Sequence, residues 1–356
     1  MTPSAALPRE PPLWPVLVTG LLALAAAVAF GLSWGSERIP VWPTIRRGDW
    51  DSVSGRILQF RLERVVLAAL VGAVLALGGL LFQTLLRNPL ASPFTLGVAG
   101  GGSLGAFVVI LLGGSPLFAP LMADFNVWGV AGARALGAFV GVLATVALVF
   151  ALARAAGGVQ TVTLLLAGVT LNFICSAVMM LLQAVADFSQ TVRMVRWSMG
   201  GFDIAAGQIR PTAALVALGF VIALPALRHL DVLGTDDRTA RLLGVPVRRV
   251  RAQILLGTSI MVGACLAVAG PIGFVDLVVP HTCRLLLGPG KRRLLPASLL
   301  GGAALLVLAD TLGRGIPARF LDYSGELPVG ILTAAVGGPF FLALLLSVGR
   351  NQAAIR

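Results

Sequence analysis

Histidine and cysteine, the residues that most often bind metals or act as nucleophiles, are scarce in this chain of 356 residues. There are two histidines and three cysteines. His229 and His281 are too far apart in sequence to indicate a metal site, and Cys175, Cys265 and Cys283 each lie in or beside a different apolar run. The sequence contains neither a disulfide framework nor a CxxC pair. We therefore predict no metal site and plain packing roles for the cysteines.

Charge is scarce as well. Charged residues make up 12% of the chain against 57% hydrophobic residues, and the mean hydropathy is +0.94. A soluble domain carries about 25% charged residues, so this composition excludes an ordinary soluble protein and predicts an integral membrane protein. A helical span needs about 20 apolar residues, and about ten apolar runs of suitable length are present. They lie near residues 13–33, 64–86, 93–113, 127–153, 161–184, 211–228, 252–270, 274–287, 294–313 and 328–349. These runs predict an all-α polytopic bundle of about ten transmembrane helices.

None of the polar segments between the apolar runs is long enough to form a soluble domain with its own core. We predict a cytoplasmic tail over residues 1–12, a single transmembrane domain over residues 13–350 and a second cytoplasmic tail over residues 351–356. The first apolar run has no convincing cleavage site and is interpreted as a retained span. The net charge of +12 would suggest nucleic acid binding in a soluble protein, but membrane orientation with a cytoplasmic N-terminus explains it better here. We expect contact with membrane lipid and not with nucleic acid.

No sequence motif indicates an enzyme. A Walker A loop is absent, because Gly290-Lys291 is followed by Arg292 and is not preceded by a glycine loop. The stretch at residues 101–105 matches GxSxG, and its Ser103 could in principle form a protease dyad with His281. However, this motif needs a sharp turn, whereas the match lies in an apolar, helix-sized glycine run. We rank the enzyme hypothesis last and predict no catalytic residue and no cofactor bound by this chain.

A charged block over residues 234–251 separates two long apolar runs. Thr235 can cap a helix there, and Asp236 and Asp237 would lie in the first turn, where the helix dipole favours negative charge. Gly244 would end the helix. The pattern predicts a short, self-contained helix outside the membrane.

This predicted helix is too short to be stable alone in water, since it has only about eight residues. Asp237 and Arg241 are spaced as an ion pair that contributes roughly 0.2–0.5 kcal/mol. The helix therefore needs a surface to lie against, and Ala240, Leu243 and Val247 would supply an apolar side for it.

Two connections and one set of glycines shape the rest of the chain. Residues 34–63 and 185–210 are predicted to be polar connections on the outer side, the first with tryptophans suited to the membrane interface. Glycines at four-residue spacing predict close helix packing in lipid. They are Gly97, Gly101 and Gly105, with Gly137 and Gly141 in a later run.

Aspartates within apolar runs are expensive in lipid and need a partner or a function. Asp310 stands four residues before Arg314, which predicts a structural ion pair. Asp276 follows a Gly-Pro-Ile-Gly-Phe break. It is equally consistent with a residue of a transport pathway and with a satisfied helix cap.

Several segments in order resemble one family, the FecCD-type permease subunits of ABC importers for iron-siderophore complexes, haem and cobalamin. The resemblance extends from about Arg61 to Leu346. It is carried by Leu85-Leu86-Arg87-Asn88-Pro89-Leu90-Ala91-Ser92-Pro93 with Leu96-Gly97-Val98, Leu164 to Gly168, Met199 to Phe202, Gly270 to Phe274 with Val279-Pro280-His281, Arg292 to Pro296, Ala309-Asp310, and Glu326-Leu327-Pro328-Val329-Gly330 with Gly338-Pro339.

The resemblance implies a type II ABC importer permease fold with ten helices in the bacterial inner membrane. It implies a dimer, either of this chain or with a close relative, with the pathway between the subunits. It also implies two ATP-binding subunits, where ATP and magnesium bind, and an extracytoplasmic substrate-binding protein. The chain itself would be a transport subunit and not an enzyme.

The same resemblance assigns roles to individual residues. Residues 234–247 match the coupling helices that insert into a groove of the ATP-binding subunit. The coupling residues are Asp236, Asp237, Arg238, Arg241, Leu242, Leu243 and Gly244. Arg61, Arg64 and Arg314 match arginines that meet acidic residues of the binding protein, although lipid-facing arginines are the alternative. Thr161 matches an inner gate position. Glu63 stands where the family commonly has proline, so it is expected to neutralise these arginines in part, and Asp276 replaces a usual glycine.

The substrate is inferred from what the resembled family commonly transports, and not from individual residues. An iron-siderophore complex is the commonest cargo, and haem and cobalamin are the alternatives. A secondary transporter that needs no ATPase is the alternative from another class, but it leaves the charged helix without a partner.

Overall fold

The described part of the chain consists of α-helices and their connections. The computed structural model describes residues 12–37, 39–113, 129–156, 161–202, 207–320 and 325–353. The helices are α1 (Trp14–Ser33), α2 (Val41–Arg47), α3 (Val53–Leu86), α4 (Val98–Leu112), α5 (Gly129–Ala155), α6 (Thr161–Val185), α7 (Phe188–Ser198), α8 (Ile209–Leu227), α9 (Leu230–Leu233), α10 (Asp237–Leu242), α11 (Val247–Ala269), α12 (Val275–Leu287), α13 (Lys291–Phe320) and α14 (Val329–Ala353).

Seven of these helices are long and apolar enough to cross a membrane within the described ranges, namely α1, α3, α5, α6, α8, α11 and α13. The helix α4 and residues Val329–Ala343 of α14 are shorter apolar segments. Together with α12, these helices correspond to the predicted runs. The prediction of an all-α polytopic bundle is confirmed.

The helices α3 and α11 form the centre of the bundle. In each of them, 78% of the most apolar 18-residue window is buried, against 50% or less in the other five spans. They pack on each other, α3 also packs along α13, and α11 packs along α8 and α5. Movement of α3 or α11 would therefore displace the helices packed against them.

The predicted connection over residues 34–63 is wrong in its extent. It contains α2, and α3 already begins at Val53. The reason is local, because the Ser52 hydroxyl accepts a hydrogen bond from the Gly55 amide at 3.1 Å and so caps the helix. The polar arginines that follow were taken as loop residues, but they lie on the first turns of a helix of 34 residues.

The second connection, at residues 185–210, contains the helix α7. Asp187 caps this helix, and Gln190 completes a capping box with it. The spacing of Asp187 and Gln190 was a sequence signal for this helix.

The glycines predicted to allow close packing bring α4 and α5 together. A Cβ atom at Gly105 would collide with the carbonyl oxygen of Gly137, and one at Gly141 would collide with that of Gly101. Backbones approach this closely only where side chains are absent. The packing prediction is confirmed for these four residues.

Gly105→Ala is expected to destabilise the protein by about 1–3 kcal/mol, because the added methyl group must push α4 away from α5. Gly338→Ala is the matched control, since a Cβ atom there has no neighbour within 4 Å. Unfolding in mixed detergent micelles measures both. Equal stability of the two variants would contradict the assignment of Gly105 to a tight interface.

Candidate functional site

Two charged clusters lie along α3, one about a third of the way from its start and one at its C-terminal end. Arg64 belongs to one cluster and Arg87 to the other. At 1.5 Å per residue, their Cα atoms are about 35 Å apart along the helix. This separation is close to the thickness of the hydrocarbon core, about 30 Å. The clusters therefore lie at the two membrane surfaces.

The cluster around Arg87 includes the short helix that the charged block predicted. Asp236 is its N-cap, with the carboxylate accepting hydrogen bonds from the amides of Arg238 and Thr239, both at 2.9 Å. The expectation that Thr235 caps this helix is wrong, because its hydroxyl donates to the carbonyl of Val232 at 2.7 Å. Its partner belongs to the preceding helix, which leaves the cap to Asp236.

The predicted ion pair within this helix is also wrong. Oδ1 of Asp237 pairs with Arg87 and with Arg251, at 2.8 Å for the latter, and Arg241 is exposed. Asp237 faces the bundle, where two arginines from longer helices reach it. The helix ends at Leu242, just before Gly244, as predicted; Gly244 has φ +78° and donates its amide to the carbonyl of Arg241.

The apolar side chains of this segment divide into two sets. Ala240 and Val247, predicted to face a partner, are buried in the chain's own core. Leu242 and Leu243 face outward, with 81% and 66% of their surface exposed. They are accompanied by four exposed arginines. We name this set the docking surface; it consists of Leu242, Leu243, Arg238, Arg241, Arg248 and Arg249.

The Asp236 cap should respond to pH. Its hydrogen bonds with Thr239 and the amide of Arg238 lower the pKa of Asp236. The cap therefore stabilises α10 fully above the pKa of Asp236 in an unfolded chain. Its contribution is lost as the pH falls through the lower pKa of the folded state.

Asp236→Ala is expected to raise the hydrogen exchange of the Arg238 and Thr239 amides at neutral pH, because both lose their acceptor. Asp236→Asn is the control, since asparagine caps equally well and does not titrate. Protection factors from hydrogen exchange mass spectrometry measure the effect. Unchanged protection in the alanine variant would show that the cap does not hold this helix.

The cluster around Arg64 is a buried ion network. Arg64 contacts Asp310 at 2.9 Å and Glu326 at 2.6 Å. Nε of Arg314 lies 3.1 Å from Asp310, which confirms the predicted ion pair, although the two groups are not aligned as a hydrogen bond. The network ties α3 to α13 and to the segment before α14.

Arg61 lies beside this network and bonds to the backbone. It donates to the carbonyl of Leu32 at 3.0 Å and to that of Glu37. Arg61, Arg64 and Arg314 are all buried, so their charges serve the fold first. The side chain of Glu326 is 40% exposed, and it, not the predicted Glu63, pairs with Arg64. Contact of the three arginines with a binding protein stays a prediction.

Asp276 is buried in the first turn of α12, where Phe274 occupies the N-cap position without a side-chain cap. Its carboxylate has no well-formed hydrogen bond among the described residues, although the Ser92 hydroxyl lies near it. Its backbone carbonyl accepts from Gln83 at 3.2 Å. Its carboxylate also lies beside the first amides of α12, its own and that of Leu277. The helix-cap interpretation and a role in the pathway both stay predictions.

The structure does not bring the hypothetical dyad together. Ser103 is buried in α4, and both ring nitrogens of His281 lack a hydrogen-bond partner within the described ranges. His281 instead packs edge-on against Phe340, with ring centroids 6.0 Å apart. Thr161 is the first residue of α6, but its side chain lies outside the described residues.

Sequence reasoning missed two residues of the Arg87 cluster. Arg87 was noted as part of a family segment and Arg251 as the last residue of the charged block, although each also stands at the end of a long apolar run. An arginine at such a position is close to any helix packed under the membrane surface. That position was the available signal, but their common partner Asp237 could be identified only in the folded chain.

The chain as a whole is similar to known transport proteins. The FecCD transport family profile matches residues 22–347. The chain is 37% identical over 348 residues to the uncharacterized ABC transporter permease protein YvrB of Bacillus subtilis strain 168, covering 94% of each chain. It is 40% identical over 294 residues to the hemin transport system permease protein HmuU of Yersinia pestis, covering 81% of this chain and 82% of that protein.

Two further matches extend over nearly the whole chain. The vitamin B12 import system permease protein BtuC of Escherichia coli O157:H7 is 36% identical over 333 residues, covering 93% of each chain. A solved structure of a metal-chelate type ABC transporter in an inward-facing conformation matches with a TM-score of 0.74 and 28% identity. It covers 94% of this chain and 99% of that chain.

Proposed function

Because the chain belongs to the FecCD transport family of ABC importer permeases, we propose that it carries an iron-siderophore complex across the bacterial inner membrane. Hydrolysis of ATP with magnesium in a separate subunit drives the transport. The chain supplies the membrane pathway and breaks no bond in its cargo. The relatives named as permeases of hemin and vitamin B12 systems support the transport role.

The docking surface is the observation that carries the ATP-driven part of this proposal. Leu242 and Leu243 are exposed beside four arginines on a capped helix at the membrane surface. Apolar anchors surrounded by polar residues are typical of protein interfaces. We assign this surface to an ATP-binding subunit. With a second permease chain, most simply another copy of this one, the complex would contain two such surfaces and two ATP-binding subunits.

The Arg64 cluster at the other membrane surface is assigned to the substrate-binding protein. Glu326 is the exposed member of the network and forms an ion pair with the Arg64 guanidinium group. An acidic side chain of the binding protein would compete with Glu326 for this guanidinium group. Such exchange suits orientation of a partner more than high affinity. Arg61 and Arg314 would hold the neighbouring backbone in place while the exchange occurs.

The pathway itself is assigned to the contact between two permease chains. Thr161 begins α6, a helix whose outward residues are mostly apolar, and we propose that it contributes to the inner gate. Asp276 is buried within one chain and would reach the pathway only when α12 moves. ATP binding supplies that movement by favouring one of two states of the complex.

Haem is the second candidate cargo. The hemin permease of Yersinia pestis is 40% identical to this chain, which exceeds the identity to the vitamin B12 permease. Relatives with this level of identity are named for cargoes of different chemistry. An uptake measurement is therefore needed to distinguish the candidate cargoes.

The cargo can be identified with the permease, its ATP-binding subunit and its binding protein in liposomes. We expect ATP-dependent uptake of a ferric siderophore, with little uptake of haem or cobalamin at equal concentration. A preference for haem or for cobalamin would overturn the siderophore assignment and keep the importer. Equal uptake driven by an ion gradient without ATP would instead indicate a secondary transporter.

A further inference from the structure

The docking surface is joined to the bundle through the carboxylate of Asp237. Its Oδ1 atom accepts a hydrogen bond from Nη2 of Arg251 at 2.8 Å and another from Nη2 of Arg87. Asp237 is the first residue of α10, Arg87 caps the C-terminal end of α3, and Arg251 lies near the start of α11. One oxygen atom therefore connects the short helix to two membrane spans.

Arg87 also holds the preceding short helix. Its Nε donates to the carbonyl of Leu233, the last residue of α9, at 3.1 Å. The backbone of Arg87 has φ +49°, a conformation that residues other than glycine seldom adopt and that depends on surrounding contacts. The planar guanidinium group reaches Leu233 and Asp237 at the same time. A lysine ammonium group would not reproduce this fork.

The two spans reached through Asp237 are the central ones. The helices α3 and α11 are the most deeply buried of the seven spans described, and they pack on each other. Leu242 and Leu243, at the far end of the same short helix, point away from the bundle. The helix thus has an outward end for a partner and an inward end fixed to the core.

We propose that Asp237, Arg87 and Arg251 form a clamp that transmits movement of the docking surface to α3 and α11. This inference rests on the proposed function, because it assumes a partner that moves the docking surface. Asp237 is then a positioning residue inside the permease, and not a contact with the ATP-binding subunit as its sequence position suggested. Without its charge, α10 would follow the partner while α3 and α11 stay behind.

The test uses the full permease, reconstituted with its ATP-binding subunit and binding protein. Asp237→Asn and Arg87→Lys are compared with wild type for binding of the ATP-binding subunit, ATP hydrolysis and cargo uptake. We expect unchanged binding and an approximately tenfold fall in cargo moved per ATP, within the roughly 5- to 150-fold range typical of coupling between sites. Asp237→Glu, which keeps the charge, should restore much of the ratio. Arg87→Lys keeps the positive charge and therefore tests the geometry of the guanidinium group separately from its charge.

Asp231→Asn is the matched control, because it removes one negative charge nearby and keeps an oxygen that can accept from the Lys291 amide. It should behave as wild type. A normal ratio of uptake to ATP hydrolysis in Asp237→Asn would overturn the clamp. Loss of subunit binding in that variant would also overturn it, by making Asp237 a contact residue. Absence of ATP-dependent uptake in wild type would instead refute the proposed function and, with it, the clamp.

Discussion

Replacement of Leu242 and Leu243 together by aspartate is expected to weaken binding of the ATP-binding subunit by roughly 1,000-fold, because exposed apolar anchors of this kind contribute about 2 kcal/mol each to an interface. Both side chains point away from the bundle, so the permease itself should fold and insert normally. Co-purification and a binding titration with labelled ATP-binding subunit measure the loss.

A matched pair of substitutions distinguishes the interface from general damage. Leu21→Asp and Leu22→Asp together place the same charges on two exposed leucines of α1, a span remote in sequence from the docking surface. That variant should insert poorly, because its leucines face lipid. The docking variant should insert well and bind poorly. Normal subunit binding after both docking substitutions would exclude this surface as the ATPase contact.

Asp310→Asn should lower the free energy of unfolding by about 3–5 kcal/mol, because it leaves two buried arginines without their shared carboxylate. The loss should be visible as a lower unfolding midpoint in mixed detergent micelles. It should be accompanied by greater mobility of the outer end of α3 relative to α13, since the Asp310 carboxylate links these helices.

Glu326→Gln is the control for the buried network. Its side chain is 40% exposed, so solvent can replace much of its interaction with Arg64. We expect a loss of about 0–1 kcal/mol. Similar losses for the Asp310 and Glu326 variants would show that burial does not set the energetics of this cluster.

Composition and the spacing of apolar runs were sufficient to predict the bundle. Burial of about 20 apolar residues per span follows from the bilayer alone, so the membrane fold needed no knowledge of contacts. The beginning of α3 was harder to predict. Arg61 resembles a loop residue in a hydropathy pattern, and Arg64 was predicted to be the first residue of the apolar run. Carbonyl and carboxylate partners elsewhere in the chain allow both to be buried within the helix.

The candidate site was predicted in position but not in orientation. The charged block indicated a short helix, and Gly244 ended it as expected. Which face turns outward depended on the partners of Asp237, and those partners come from the ends of α3 and α11. A local pair with Arg241 was the best choice from spacing alone. Tertiary ion pairs displaced it, and as a result Leu242 and Leu243 became exposed while Ala240 became buried.

Uptake by liposomes that contain the permease and its binding protein, measured with and without the ATP-binding subunit, tests the central claim most directly. Importer activity predicts that cargo accumulates only when the ATP-binding subunit and ATP are both present. It further predicts that the Leu242 and Leu243 aspartate variant abolishes this accumulation. Accumulation that continues without the ATP-binding subunit, or that survives loss of the docking surface, would contradict the account.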